Sequence, residues 1–498
     1  MAAEVPGPHQ HVTWGAAMIT TISGERGQLT ALRGAWLFDG TGPALIPDPV
    51  VVIEGSVIRD VCSGGRVPET PDSGTVIDLP GATLLPGLVD THVHLAFDAS
   101  VDPVGNLARR RDYEVVAAMV EAGRAALRGG ITTIRDLGDH CYLSLGLRGR
   151  ADLPTVVAAG PPITTPGGHC HYLGGAAAPT CAGIRAAVRE HVYRGVDVVK
   201  IMASGGNLTP GSRQDLAQFP PEVLRAAVDE AHRLGLPVTA HAHAVAAIAD
   251  AVAAGVDGLE HVSFWTEEGV DAPADLIRLI AARQIAVGAT LGMVPVPGMA
   301  PPPAVAMRMP AMIANMRRLC ESGTLMVAGT DAGIAPVKPH DVVRHAPPTL
   351  RQLGFSPAEA LRAITSVAAG VCGLGHRKGR IAPGFDADIL AVDGDPVADP
   401  EALQRIRAIY ARGTPVTKED GQGSLGAAAS CRSSPVALAL VSCGWRFRGD
   451  AECTEARGQV LDPLSRCPVI CGSGGRRPSR LQPNQVTAAI NDGMQIPR

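Results

Sequence analysis

Residues 85–95 read "LPGLVDTHVHL" and set two histidines, His92 and His94, one residue apart at the end of a short apolar run. In an extended strand, residues i and i+2 face the same side, roughly 6.6 Å apart along the chain. Two imidazoles so placed can converge on one ion or line one cavity. A pair of partly buried polar side chains at a strand tip is the plainer reading. The surrounding sequence decides between them.

Working outward, this run, "LLPGLVDTHVHL", opens a regular series. It continues with "ITTIRDLG", "PTVVAAGP", "VDVVKIMAS", "LPVTAHAH", "VDGLEHVSF", "QIAVGATL" and "TLMVAGTDAG". Between them lie Ala/Leu-rich segments with helical spacing. One, "PPEVLRAAVDEAHRLG", has proline at a helix start and glycine past its end. Eight strand–helix units over about 290 residues are the count and size of a closed barrel. The expected fold class is therefore α/β, a (β/α)8 TIM barrel over residues 85–375. A doubly wound open sheet is the alternative, but no G-x-G-x-x-G follows the first strand.

Two strand-rich pieces flank the barrel. Residues 29–84 contain "TALRGAWLFDG", "PVVVIEGSVIRDV" and "GTVIDLPGATLLP", and residues 376–417 contain "KGRIAPGFDADILAVDGDP" and "IRAIYARGTPV". Their alternation and Gly/Pro turns predict one small composite β-sandwich built from both sides of the barrel.

Composition narrows the function. The 498 residues carry a net charge of −4, which offers no electrostatic case for nucleic acid or an anionic membrane. No apolar stretch reaches the length of a membrane span. Residues 1–28 lack the basic start and apolar core of a signal peptide and read as a flexible leader, so a cytoplasmic location is expected. Five of the eleven cysteines, Cys431, Cys443, Cys453, Cys467 and Cys471, fall after residue 418. That tail has no histidine and only one C-x3-C, which argues against a zinc module. Rich in Arg, Ser, Gly and Pro, residues 418–498 show no core-forming face and read as a disordered tail or an altered reading frame.

The polar residues then fall at one end of the predicted strands. His92 and His94 end the first, Lys200 the fourth, His241 and His243 the fifth, His261 the sixth and Asp331 the eighth. Barrel enzymes assemble their sites at the carboxyl ends of strands. Seven such residues from five strands are hard to assign to core packing, and they point to a metal-dependent active site.

The set "DTHVHL", "VVKIMASGG", "AHAHAVAAIADAVAAGVDGLEHVSF", "VAGTDAG" and "GRIAPGFDADILAVDGDP" resembles the amidohydrolase superfamily. The similarity is to its imidazolonepropionase-like branch, which includes Xaa-Pro dipeptidases and ochratoxin amidases, and it covers roughly residues 29–417. The resemblance implies that His92 and His94 hold the more buried metal and that Lys200, carboxylated by carbon dioxide, bridges two metals. It implies that His241 and His261 hold the second metal. Asp331 would bind the first metal and take the proton from the attacking water. His169, in the loop "TTPGGHCHYLGG", matches a position near substrate. His243, two residues from His241, could substitute as the ligand, but the twenty-residue spacing to His261 favours His241, and His243 reads as a substrate contact or a structural residue. Tyr172 is a weaker substrate candidate, and His171 reads as a plain loop histidine.

Imidazole, carboxylate and carbamate suit zinc or another borderline divalent ion. Two ions about 3.5–4 Å apart can share a hydroxide that attacks a carbonyl. The expected activity is hydrolysis of a C–N amide bond in a small dipeptide or N-acyl amino acid, without a covalent intermediate. Deaminase or cyclic-ureide chemistry, as in imidazolonepropionase, is the main rival, and a non-enzymatic binding protein a lesser one. The deaminase glutamate expected after the fifth strand is missing from "HAHAVAAIAD". Oligomeric state, self-association included, stays open.

Overall fold

The eight apolar runs become eight parallel strands because each is too hydrophobic to leave either face in water. The structure, a computed structural model, describes residues 29–64 and 74–417. The strands are β1 (Leu88–Val93), β2 (Ile131–Asp136), β3 (Thr155–Ala158) and β4 (Val199–Met202). They continue with β5 (Val238–Ala244), β6 (Gly258–Trp265), β7 (Ala286–Gly288) and β8 (Met326–Val327). All but the first residue of β3 are buried.

β1, β2 and β3 form one parallel sheet, and β4 to β8 form a second in sequence order. Isolated parallel bridges stand at both junctions, Ile163 with Ile201 and Val93 with Ala332. At the second junction His94 N donates to Ala332 O (2.9 Å) and Asp331 N to His92 O (2.7 Å). The backbone thus brings the first-strand histidines against Asp331.

Helices fill most connections. Pro221–Arg233 buries Val223, Leu224, Ala227, Val228 and Ala231, one helical stripe, against the core that also holds Val238 and Ala240. It stops at Leu234, followed by Gly235 with φ +81°. The β2–β3 connection departs from the expected alternation. Only a 3-10 turn, Leu143–Leu147, stands there, because "HCYLSLGLRGRADLP" lacks a continuous apolar stripe and is broken by glycine and proline.

Segments from before and after the parallel strands join in one eight-stranded mixed sheet. Strand Thr75–Pro86 lies at its centre, parallel to Leu29–Leu37 and antiparallel to Ile389–Asp393, with Ile389 opposite Pro86 and Asp393 opposite Ala82. Leu32, Leu37, Ile53, Leu84 and Ile389 share its apolar cluster. The predicted leader and tail lie outside the described residues. No helix among the described residues is long and apolar enough to cross a membrane.

A buried charge cluster pins the returning segment. Lys378, 2% exposed, places Nζ 2.6 Å from Asp388 Oδ2 and 2.8 Å from Asp386 Oδ2, while Arg377 forks onto Asp386. Removing Lys378 leaves the buried Asp388 carboxylate without its cation, which costs about 3–5 kcal/mol. Lys378→Met is therefore expected to lower the urea midpoint clearly. An unchanged midpoint would show that the cluster contributes nothing net.

Candidate metal centre

The site is built from the ends of the strands. His92 and His94, two residues apart, turn the same way, and each ring has one nitrogen already committed. His92 Nδ1 donates to Glu260 Oε2 (3.0 Å), and His94 Nδ1 donates to the Gly138 carbonyl (3.0 Å). Such bonds fix the tautomer and leave Nε2 with its lone pair outward. Both Nε2 atoms face Asp331 Oδ1, at 3.5 Å from His92 and 3.1 Å from His94. The three side chains form one group able to hold a metal. Burial alone would raise the Asp331 pKa. At the acid pH where a carboxyl titrates, the charge of protonated His92 and a hydrogen bond from protonated His94 overcome it and hold the carboxyl well below its usual range.

His241, His243 and His261 form a second such group. His241 Nε2 donates to the Gly205 carbonyl (3.0 Å), which leaves Nδ1 as its free donor atom. The His241 and His261 ring centroids are 4.5 Å apart, and His243 stacks on His261 at 4.5 Å. His243 Nδ1 is hydrogen-bonded to Ser263 Oγ (2.6 Å). Burial pushes His241 and His261 well below 6.5, His92 to about 4 and His243 to about 3. The rings are therefore neutral at neutral pH, the form that can ligate a metal.

Lys200 on β4 is the anomaly. It is 1% exposed, and its Nζ has no hydrogen-bond partner. Burial lowers its pKa to about 8, against the opposing pull of Glu260 and Asp331. Its charge acts on His92 of the first group and on His241 and His261 of the second. A buried, orphaned amine costs stability unless it is neutralised or paired. The donor set, the convergence of its atoms and this orphaned amine fit a metal centre.

Around the centre, the His169 ring lies 4.8 Å from that of His241, with Nδ1 unpartnered. It packs so closely on Gly206 that an added Cβ there would sit 2.4 Å from His169 Nε2, so only glycine allows the ring this position. Tyr172 instead turns its hydroxyl to the Leu208 carbonyl (3.4 Å) and the Cys170 thiol (3.6 Å). His171 Nδ1 donates to the Gly168 carbonyl within the loop.

Two carboxylates not anticipated from the sequence organise the site. Glu260 Oε1 accepts from Arg135 Nη2 (3.0 Å) and Thr239 Oγ1 (2.8 Å), while its Oε2 holds His92. Asp90 accepts from Thr330 N (3.0 Å), Thr330 Oγ1 (2.5 Å) and His92 N (3.2 Å), tying β1 to the segment that carries Asp331. Glu260→Gln offers one oxygen to three donors and leaves Arg135 uncompensated. It is expected to lower thermal stability and bound metal together. Wild-type metal content in that variant would remove Glu260 from the support of His92.

Residues 83–416 match the Amidohydrolase family. The chain belongs to that family. Ochratoxinase from Aspergillus niger is 27% identical to this amidohydrolase over 431 residues, covering 78% of this chain and 86% of the relative. An uncharacterized protein of Mycobacterium tuberculosis is 30% identical, covering 70% of this chain and 89% of its own. Among solved structures, a Xaa-Pro dipeptidase with bound methionine superposes with a TM-score of 0.68 at 25% identity, over 78% of this chain and all of that one. This amidohydrolase is a hydrolase acting on carbon–nitrogen bonds.

Proposed function

We propose that this amidohydrolase cleaves the amide bond of a dipeptide or an N-acyl amino acid at a two-metal centre. The observation that carries the reading is Lys200, a buried amine without a partner whose charge reaches both histidine groups. His92, His94 and Asp331 would hold one ion, and His241 and His261 the other. Lys200, carboxylated by carbon dioxide with release of a proton, would lie between them. The eight parallel strands, with single bridges at both junctions, support a closed (β/α)8 barrel as the frame.

When bound, two divalent ions, of which zinc suits this donor set, polarise a carbonyl oxygen and lower the pKa of water. The chain's own residues do the rest. Asp331, ionised and pointed at both Nε2 atoms, accepts the proton of the attacking water and passes it to the departing amine. Glu260 and the Gly138 carbonyl keep His92 and His94 in one tautomer. His169 and His243, neutral and beside His241, offer contacts to the substrate. The amine leaves and the acid remains, with no covalent enzyme intermediate.

A panel of dipeptides and N-acyl amino acids, assayed on zinc-loaded protein alongside elemental analysis, tests the reading. Turnover with close to two ions per chain is expected. Full loading with no turnover across the panel would overturn it, and one ion with an unmodified lysine would favour a single-metal deaminase or cyclic-ureide hydrolase.

A further inference from the structure

At the opposite end of the strands from the histidines lies a cavity of about 860 Å³. The starts of β5, β6 and β7 form its wall, through Val238, Gly258 and Ala286. That is ample space for a small organic ligand. Its lining is not neutral. Four arginines, Arg135, Arg283, Arg362 and Arg380, face it, against one acid, Asp257.

The acid is already engaged. Asp257 Oδ2 accepts from His232 Nε2 (2.8 Å) and from Val238 N (2.8 Å). The arginines differ in how far their charge is matched. Arg135 is paired with Glu260, and Arg380 lies close enough to Asp39 for its charge to act on that carboxyl. Arg283 and Arg362 each give one N–H to a backbone carbonyl, of Val252 and of Thr41. Those bonds orient the guanidinium groups; neither forms a salt bridge among the described residues, although the charge of Arg362 also acts on Glu359. Cationic groups held in place this way attract anionic ligands.

We propose that this cavity is a binding site for a small organic dianion, a molecule bearing two carboxylate, phosphate or sulfonate groups. A cavity of this volume has a diameter on the order of 10 Å, within drug-sized ligand dimensions. Arg283 and Arg362 both line it, so one ligand with two anionic groups can address both. Arg283 and Arg362 hold the anionic groups. Arg135 and Thr239 line the same cavity and both donate to Glu260, so an occupant lies one residue away from the carboxylate that holds His92.

Benzene-1,3-disulfonate, a dianion that does not chelate zinc, is the probe, titrated calorimetrically into metal-loaded protein at low salt. Wild type is expected to bind one equivalent, with affinity falling as salt rises. Arg283→Gln combined with Arg362→Gln should weaken binding at least tenfold, without change in metal content. Arg283→Lys with Arg362→Lys, which keeps the charge, should stay within a few-fold of wild type. It also guards against misreading a folding defect. Absence of binding to wild type, or binding by the Gln pair as tight as wild type, overturns the proposal. Equal loss in the Gln and Lys pairs overturns it too, since charge would then not be what holds the ligand. The measurement needs no turnover and stands apart from the catalytic reading.

Discussion

Asp331→Asn should keep most of its metal and lose at least about a thousandfold in turnover, within the range for removal of a general base. The amide retains an oxygen facing His92 Nε2 and His94 Nε2, so the ligand geometry survives. What it loses is the capacity to accept a proton at neutral pH. In the wild type that capacity is available because the carboxyl is held ionised by its imidazole neighbours despite burial. The main-chain bond from Asp331 N to His92 O does not involve the side chain and should hold the local backbone in place. Parallel metal analysis and steady-state kinetics check this. Turnover near the wild-type value would remove Asp331 from proton transfer, whereas loss of both metal and activity would reduce it to a ligand.

Lys200→Ala is expected to lose activity below detection together with at least one metal. An ammonium beside a dication is repelled by about 4 kcal/mol per unit charge at 4 Å and an effective dielectric near 20. Carboxylation turns that cation into an anionic group with two oxygens, which reverses the sign. The fully buried amine has no hydrogen-bond partner of its own that this chemistry would have to displace. Acetate or propionate, filling the space vacated in the alanine variant, should restore part of both metal and turnover. Two retained metals and full activity without added acid would rule out the bridging role.

The strand ends were legible in the sequence because burial on both faces demands continuous apolar runs, and polar residues interrupting such runs stand out. His92, His94, His241 and His261 could be picked out for that reason. Glu260 stands next to His261 in "LEHVSF", where regular alternation gives the two side chains opposite faces. Positive φ at His261 (74°), Val262 (49°) and Phe264 (55°) breaks that alternation, and no single-sequence pattern encodes it. Arg135 and Asp90 were hidden for a different reason. Their partners, Glu260 and Thr330, lie more than a hundred residues away, and only the folded chain brings them together. The short β2–β3 turn could be read from its glycines and proline, but the repeating strand–helix pattern on either side outweighed them.

The composite sheet has a consequence for how the chain is made. Strand Thr75–Pro86 leaves the ribosome early and can pair at once with Leu29–Leu37 on one side. Its other edge waits for Ile389–Asp393, some three hundred residues later. At ~5–20 residues per second, that interval is roughly 15–60 s. During it, an apolar strand edge stands open beside a nascent run of buried-type strands, a template for pairing with other chains. The last step of folding is then the return of the C-terminal strands to that edge. A ribosome stalled before residue 389 would hold a protein with its histidines already synthesised and its seam still open.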